Sequence, residues 1–397
     1  MANSLLTISQ ITRKAALTLH QKANFLGAVN RQYDSSFSQT GAKIGDTLRV
    51  RLPNQYTVRS GLTRSNQDVT EQKVDLTVSS VRGVDIAFTS TDLSLSIDDF
   101  SARFIEPAVS VLAANIEADV FTNLYKKVYN LVDGDAAALA FTHVSQARQK
   151  LSENLAPLSQ RSLILSPSHT TKFMNDTKGL FHSSTQIENA YERGVLGTIQ
   201  GFDVMENTHF SDHTTGTAAK TTGYLSNGAT QSGATITVDT GTTTFLVGDV
   251  ITFAGVFAVH PETKVSTGQL KQFVVTANSG TSATSLAISP AVVATGALQN
   301  VSNTIADNSA IVKVGAGASE LLNSSLAFHR DAFIFATADL PMPRGTDMAA
   351  SATIDGLTVS MVRDFEISDR SFPCRLDVLY GYAALRPELA CRIHADG

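Results

Sequence analysis

The chain has 397 residues, of which 43% are hydrophobic and only 17% are charged. This length and apolar content allow a large buried core and suggest two or three domains. No apolar run is long enough to span a bilayer, and Met1–Ser4 lacks the basic and apolar regions of a signal peptide, which argues against a membrane or secreted protein. Two cysteines give no disulfide framework, so we expect a reducing cytoplasm.

The charge is unevenly distributed along the chain. The first 64 residues contain nine basic and two acidic residues, a net charge of +7, whereas the whole chain carries −5. A basic leading segment on an acidic body predicts contact with a neighbouring subunit, an acidic partner or nucleic acid. A solvated arm is the alternative that charge alone leaves open.

Residues 1–45 are predicted to form an N-terminal arm. Ile8, Ile11, Ala15 and Leu19 keep the spacing of one short amphipathic helix. After this helix the pattern dissolves into polar residues, which favours an extended arm.

Residues 46–90 are predicted to form an extended β-hairpin. Apolar and polar residues alternate in two short runs, centred on Val50 and Leu76. The polar stretch between the runs is long for a connection inside a compact domain. Because a lone hairpin is only marginally stable in water, we expect this one to lie on a neighbouring copy of the chain.

The strongest helical pattern covers residues 96–132. Ser96 and Asp99 resemble a capping box, and apolar residues then recur at helical spacing until about Asp133. At about 1.5 Å per residue such a helix would exceed ~45 Å, and Pro107 is expected to kink or divide it.

Residues 135–222 alternate between helical and extended patterns. A helix is predicted at Phe141–Leu155, a buried strand at Ser162–Leu165 and a short helix at His169–Met174. The glycines of Gly194–Val204 do not have the spacing of a dinucleotide fingerprint, so a turn entering a strand is favoured over a phosphate site.

From Gly223 to Val314 the composition changes to short β runs separated by Gly, Ser, Thr and Asn. This pattern predicts a small barrel or sandwich. Because the mixed pattern resumes near Ala327, the segment is predicted to be an inserted domain.

The tail, residues 325–397, is predicted to consist mainly of strands. Cys374 and Cys391 flank a predicted hairpin, and buried, inert thiols are favoured over a redox pair. The predicted strands are Ala332–Thr337, Leu357–Val362 and Leu376–Leu385.

Few residues suggest chemistry, since no zinc-protease, paired-cysteine, P-loop or nucleophile-elbow motif is present. His209 and His213 are four residues apart, but the segment is polar and turn-like, and a metal would need more ligands. Adjacent Asp98 and Asp99 fit a helix cap better than an acid/base pair. We predict no catalytic residue, no metal and no cofactor.

The C-terminal string Cys374–Glu388, CRLDVLYGYAALRPE, resembles the closing motif of phage coat proteins of the Salmonella podovirus type. In that family an aromatic-Gly strand ends in Arg-Pro-Glu. Val247–Val256 is similar to a segment of the family's inserted β-barrel domain. The turn Gly197–Val204, the strand ending at Pro167 and Asp92–Glu117 also fit, in an order that covers most of the chain.

The resemblance implies an α+β fold of the Hong Kong 97 capsid type, found in tailed double-stranded DNA bacteriophages. It would contain an N-terminal arm, an extended loop, a long spine helix, peripheral and axial domains, and an inserted small β-barrel domain. The implied layout is the arm at 1–45, the extended loop at 46–90, the spine helix at 91–134, the axial domain at 135–222 and 315–349, the barrel at 223–314, and peripheral and C-terminal strands at 350–397.

The function implied is that of a major capsid protein. Its copies would self-assemble as hexamers and pentamers into the icosahedral head shell of the virion, assembled in the host bacterial cytoplasm. Implied partners are a scaffolding protein, the portal and DNA packaged without sequence specificity. A decoration protein is a further possible partner, and no membrane is expected to be bound. Arg49, Arg51, Arg59 and Arg64 on the extended loop are expected to contact acidic groups of the neighbouring subunit.

Two departures from the family are visible. The insertion lacks an obvious long charged hairpin of the kind that braces neighbouring capsomers, and the arm is basic where the family's scaffold-contacting arm is acidic. Three alternatives stay open: the shell of a non-viral nanocompartment, another virion component such as a tail or decoration protein, and an enzyme. The enzyme is disfavoured because the sequence offers no convergent titratable groups.

Overall fold

A computed structural model describes most of the chain, in two compact units. The first unit comprises Met1–Val50, Lys73–Phe121 and Phe333–Leu385, and the second comprises Arg51–Gln72, Thr122–Ala332 and Arg386–Gly397. The described residues are 12–13, 15–17, 24–31, 45–59, 61–64, 66–67, 71–89, 106–177, 196–209, 212–220, 223–315, 317–341, 343, 345–346, 348–354, 357–368 and 371–396.

Helices and strands together confirm the predicted α+β class. The helices are α1 Asn24–Ala28, α2 Glu106–Tyr125, α3 Phe141–Glu153 and α4 Pro167–Thr177, with single 3-10 turns at Arg330–Ala332 and Pro387–Leu389. Residues 12, 13 and 15–17 are also helical. None of the described helices has the length and apolar character needed to cross a membrane.

The strands, in chain order, are β1 Asp46–Arg51, β2 Lys73–Val78, β3 Ser80–Thr89, β4 Leu131–Ala138, β5 Arg161–Leu165, β6 Thr198–Ile199, β7 Phe202–Glu206, β8 His213–Thr214, β9 Tyr224–Ser226, β10 Gly233–Asp239, β11 Val250–Val259, β12 Ser266–Val275, β13 Ser285–Val292, β14 Ala310–Val314, β15 Leu321–Leu322, β16 Ser324–His329, β17 Phe333–Ala338, β18 Met348–Ile354, β19 Leu357–Arg363, β20 Ser371–Ala384 and β21 Ala390–Asp396.

The long helix ends earlier than the sequence pattern predicts. α2 stops at Tyr125, and β4 already begins at Leu131, so the prediction of helix up to residue 132 is wrong. Tertiary pairing overrides the apolar spacing, because β4 pairs in parallel with β21. Gly134 permits this pairing, since a side chain there would meet the carbonyl oxygen of His394. The predicted start of the helix, with Ser96, Asp98 and Asp99, lies outside the described residues, and Pro107 is the second residue of α2.

The first unit is built on a five-stranded antiparallel sheet. β17, β20, β19 and β18 lie in this order, and β3 pairs with β20 along Ser371–Tyr380. Residues 80–89 were predicted to belong to the extended hairpin, but they form β3 of this sheet instead. In β3, Val84, Ile86 and Phe88 alternate with Gly83, Asp85 and Ala87, which is the pattern of a strand with two different faces.

The extended hairpin meets this sheet at a glycine. β1 and β2 form a two-stranded sheet, closed by hydrogen bonds from Gly45 to Val78 and from Leu52 to Gln72. A Cβ atom at Gly381 of β20 would lie well inside van der Waals contact with the carbonyl oxygen of Thr77. A residue without a side chain is therefore required where β2 crosses β20.

The second unit contains a six-stranded sheet in the order β4, β21, β16, β5, β7, β6. The pairs β4–β21 and β5–β7 are parallel, and the other pairs are antiparallel. Helix α3 packs against β4, β16 and β21, while α4 packs against β4 and β5. Every residue of β5 and β16 is buried, as expected for strands in the middle of a covered sheet.

The predicted inserted barrel is confirmed. Six strands close in the order β10, β13, β12, β11, β14, β9, so the first strand, β9, pairs with the last, β14. Its core contains the large aromatic side chains of Tyr224, Phe245, Phe253 and Phe273. Closure leaves no open sheet edge among these strands.

Two predicted groupings in the tail need correction. Residues 333–338 were placed in the second axial segment, 315–349, but they form β17 of the first unit's sheet. Cys374 and Cys391 do not flank a hairpin, because β20 and β21 belong to different sheets. The 3-10 turn at Pro387 separates the two strands, since proline cannot donate to a sheet ladder.

Candidate assembly surfaces

The base of the extended hairpin carries two of the four predicted contact arginines. The Arg49 guanidinium lies 3.9 Å from the Asp75 carboxylate, and the Arg51 guanidinium lies 3.6 Å from the Glu71 carboxylate. All four side chains are more than half exposed. Such solvated pairs contribute little to stability, so both arginines can exchange their partner in the same chain for one in another molecule.

The other two predicted arginines lie at the tip of the hairpin and have no carboxylate partner among the described residues. Arg59 donates to the carbonyl oxygens of Gly61 and Thr63, the latter at 3.2 Å. Arg64 donates to the Asn66 side-chain oxygen at 2.8 Å. Both guanidinium groups are exposed, and their local hydrogen bonds leave the positive charges uncompensated.

The same tip exposes apolar side chains. Val58 is 97% exposed, Leu62 is 100% exposed and Tyr56 is 61% exposed. Single exposed apolar residues are common, but three within seven positions of one loop form a patch beside two unpaired cations. Side chains of this kind, apolar with a neighbouring arginine, are typical of a contact that is completed by another protein surface.

Part of the predicted N-terminal arm is packed into the first unit. The ring of Phe25, which is fully buried, lies 5.2 Å from that of Phe121 and 6.0 Å from that of Phe333. The Phe25 backbone N–H donates to the carboxylate of Glu117, which is itself buried. Residues 24–28 are therefore anchored by aromatic packing. Most of the remaining arm lies outside the described residues.

One of the two histidines considered as metal ligands, His213, is bound to a carboxylate inside the fold. His213 donates or accepts through Nε2 at 2.9 Å from Asp249, and both side chains are buried. Among the described residues no group of three or more His, Cys, Asp or Glu could hold a metal. The buried contact with Asp249 gives His213 a structural role.

Asp249 instead anchors the start of the barrel. Its carboxylate accepts hydrogen bonds from the backbone N–H groups of Gly216 at 3.0 Å and Leu246 at 2.9 Å, in addition to His213. Burial by itself raises the pKa of the Asp249 carboxyl, but these hydrogen bonds outweigh burial and lower the pKa below its ordinary value. The carboxylate is thus held ionised to fix the entry to the barrel.

Both cysteines are buried and unpaired. Burial raises the pKa of Cys374 to about 12 and that of Cys391 to about 11. Because the thiolate is the reactive form, neither thiol is poised for redox or nucleophilic chemistry near neutral pH.

Sequence reasoning missed one contact, at the edge of the six-stranded sheet. Leu131 N–H donates to Gln272 Oε1 at 2.8 Å, and Gln272 Nε2 donates to the Leu131 carbonyl oxygen at 3.0 Å. Lys150 Nζ also donates to Gln272 Oε1, at 2.7 Å. The glutamine amide thereby occupies the place of a further strand beside β4. The sequence offered no signal for this contact, because Gln272 is an ordinary polar residue of a strand.

The comparison with known families finds a match over almost the whole chain. The family model described as P22 coat protein, gene protein 5, matches residues 1–392. No curated protein sequence matches the chain.

Several solved structures resemble the chain at low sequence identity. A Mycobacterium phage Che8 structure has 11% identity and a TM-score of 0.49, covering 94% of this chain and 90% of that one. The capsid of Ralstonia phage GP4 has 8% identity and a TM-score of 0.46, covering 93% and 88%. The mature capsid of bacteriophage PhiM1 has 11% identity and a TM-score of 0.44, covering 90% and 83%.

Proposed function

The chain belongs to the P22 coat protein family and is a major capsid protein of Hong Kong 97-type fold, and we propose that its copies join through the tip of the extended loop. In this proposal Arg59 and Arg64 bind acidic groups of the adjacent subunit in the phage head shell. The observation that carries it is the exposure of two guanidinium groups without a carboxylate partner among the described residues.

The apolar residues of the tip support the same contact. Val58 and Leu62 are almost entirely exposed in the single chain, and each would gain about 1.5–3 kcal/mol from full burial against a neighbour. Arg49 and Arg51 contribute less in this proposal, because Asp75 and Glu71 already balance their charges.

Charge reversal at the tip tests the proposal. The double variant Arg59→Glu, Arg64→Glu should fold with wild-type thermal stability, because both side chains are exposed, yet should form few or no shells by negative-stain electron microscopy. Lys172→Glu, at an exposed position on α4, is a matched charge-reversal control and should assemble normally. Normal shells from the double variant would refute a role for these arginines.

Assembly should first be established with the unaltered protein, alone and with its candidate scaffolding protein. Closed shells or curved sheets of hexamers are the expected result. We propose further that a scaffolding protein and the portal act in assembly within the host bacterial cytoplasm, that the shell packages double-stranded DNA without sequence specificity, and that a decoration protein can be added. The family's mode of assembly supports these proposals.

We infer that the role is structural and not catalytic. The inference is supported by the family and by the inert, buried thiols of Cys374 and Cys391. The family match favours a phage coat protein over the nanocompartment shell and the other virion components that the sequence left open.

A further inference from the structure

The second unit contains a cavity of about 530 Å³ where the barrel faces α3 and β4. Barrel strands β11 and β12 form one wall, and the opposite wall comes from residues 130–133 and the exposed side of α3. Two lysines, Lys150 and Lys271, line it from opposite walls. A cavity with amines on both walls differs from the apolar gaps that imperfect packing leaves in a core.

Lys271 is buried in this cavity without a hydrogen-bond acceptor. Its side chain is only 9% exposed, and its ammonium lies 4.7 Å from the centre of the Tyr129 ring. Among the described residues its Nζ makes no hydrogen bond and no ion pair. An ammonium has three donors, and in a mostly buried side chain few of them can be satisfied by solvent. The Tyr129 ring contacts one side of the ammonium, and the N–H donors on its other sides are left to a ligand or to solvent.

The pKa of the Lys271 amine reflects this lack of partners. Burial lowers the pKa of its amine to about 8, Glu388 opposes the shift, and Lys150 adds to it. Glu388 cannot fully compensate, since it is held by Arg386 at 2.9 Å. Burial likewise lowers the pKa of Lys150. Two amines that repel one another across a cavity both gain if an anion enters between them.

The acidic groups of the cavity already have partners. Asp133 lies 3.5 Å from Lys220 Nζ, and Glu153 accepts a hydrogen bond from Gln149 at 2.7 Å. Glu153 also attracts the ammonium of Lys150 and raises its pKa, whereas no carboxylate of the lining forms an ion pair with Lys271 among the described residues. Neutral amides of the wall, including Gln146, can donate further hydrogen bonds to an anionic oxygen.

We propose that this cavity binds an oxyanion, a phosphate or carboxylate group, whose oxygens accept hydrogen bonds from Lys271 and Lys150. The volume leaves room for more than the charged group, so the ligand is either a free small anion or an acidic side chain of another chain. An anion bound there would also link the barrel to α3, because it would form ion pairs with Lys271 of the barrel and Lys150 of α3. The site does not depend on the contacts proposed for the extended loop.

Binding can be measured on the full-length unassembled chain, with inorganic phosphate followed by ³¹P nuclear magnetic resonance and with a hexaglutamate peptide followed by calorimetry. Saturable binding of phosphate supports a free anion, whereas binding of the peptide alone supports an acidic segment of another chain. Because the amine has a pKa of about 8, the protonated fraction of Lys271 falls about 30-fold between pH 7 and pH 9.5, and affinity should fall with it.

Lys271→Met should abolish the saturable binding. Lys264→Met is the matched control and should bind like the unaltered chain, because Lys264 belongs to the same barrel and its Nζ already donates to the Gln299 carbonyl oxygen at 3.2 Å. If Lys271→Met does not fold, the proposal is tested with Lys150→Met, which should weaken binding, and with the pH dependence of binding by the unaltered chain. No saturable binding of either probe, or equal binding by Lys271→Met, would overturn the proposal.

Discussion

Replacing Gln272 by alanine should loosen the barrel from the six-stranded sheet. The amide of Gln272 makes both a donor and an acceptor bond with the backbone of Leu131, at 3.0 and 2.8 Å. Leu131 is 1% exposed, so its backbone groups cannot simply turn to bulk water. β4 lies at the edge of its sheet, and none of the described strands lies beside it to replace the lost partner.

The cost follows from the two backbone groups that are left without a partner. A buried donor or acceptor that loses its hydrogen bond costs about 1–3 kcal/mol. Water can enter from the adjacent cavity, so we take the lower end for each group and expect about 2 kcal/mol in total. At about 1.4 kcal/mol per tenfold change, this predicts about 30-fold faster hydrogen exchange at the Leu131 amide.

Native-state hydrogen exchange of a peptide covering residues 128–134 measures this effect, and urea unfolding measures the accompanying loss of stability. Gln269→Ala is the matched control, because Gln269 is an exposed glutamine of the same strand. It should leave exchange at Leu131 unchanged. If Gln272→Ala exchanged at the wild-type rate with the wild-type urea midpoint, the bonds to Leu131 would not hold the barrel, and the reasoning would be refuted.

Three further predictions concern the cores of the two units. Gly381→Ala should destabilise the chain by more than about 2 kcal/mol, since its Cβ would overlap the Thr77 carbonyl oxygen, and thermal unfolding measures the loss against Gly280→Ala, where there is open space. Cys374 and Cys391, with thiol pKa values of about 12 and 11, should react with a thiol reagent at pH 8 only after unfolding; rapid labelling of the native chain would contradict their burial. Burial, then Arg392, lower the pKa of His394 well below its ordinary value, so stability should be full above about pH 6.5 and be lost as the pH falls toward the lowered pKa. The urea midpoint between pH 7.5 and 5.5 measures this loss, and a midpoint that does not fall would contradict it.

Local patterns predicted those elements whose partners lie nearby in the sequence. Alternation of apolar and polar residues placed the strands of the hairpin, and short β runs between turn residues placed those of the barrel. Spacing also placed α3 and α4 to within a few residues. It failed after Tyr125, where Val128 and Val132 continue a helical spacing although residues 131–138 form a strand. That strand depends on pairing with β21, about 260 residues later, which no local window contains.

Of the candidate sites, one could be predicted from local sequence and the other could not. The arginines of the extended loop could be found in the sequence, because a long polar stretch between two strands predicts an exposed tip. Lys271 and Gln272 could not be found, since they follow one another in a strand like many polar pairs. Their burial arises only when β12 is placed against Leu131 and Lys150, more than a hundred residues away. The chemistry of a cavity between distant segments is a property of the folded chain.

The pairing of β9 with β14 has a consequence for how this protein can change over evolutionary time. Because Tyr224 lies opposite Ile311, the chain enters and leaves the barrel at adjacent points. The barrel has about ninety residues, yet its two ends lie as close together as the ends of a short turn. Such a segment can be gained, lost or exchanged for another as one piece while the strands on either side keep their register. The barrel is in this sense a module, which can change while β8 and β15, the strands before and after it, stay paired with each other.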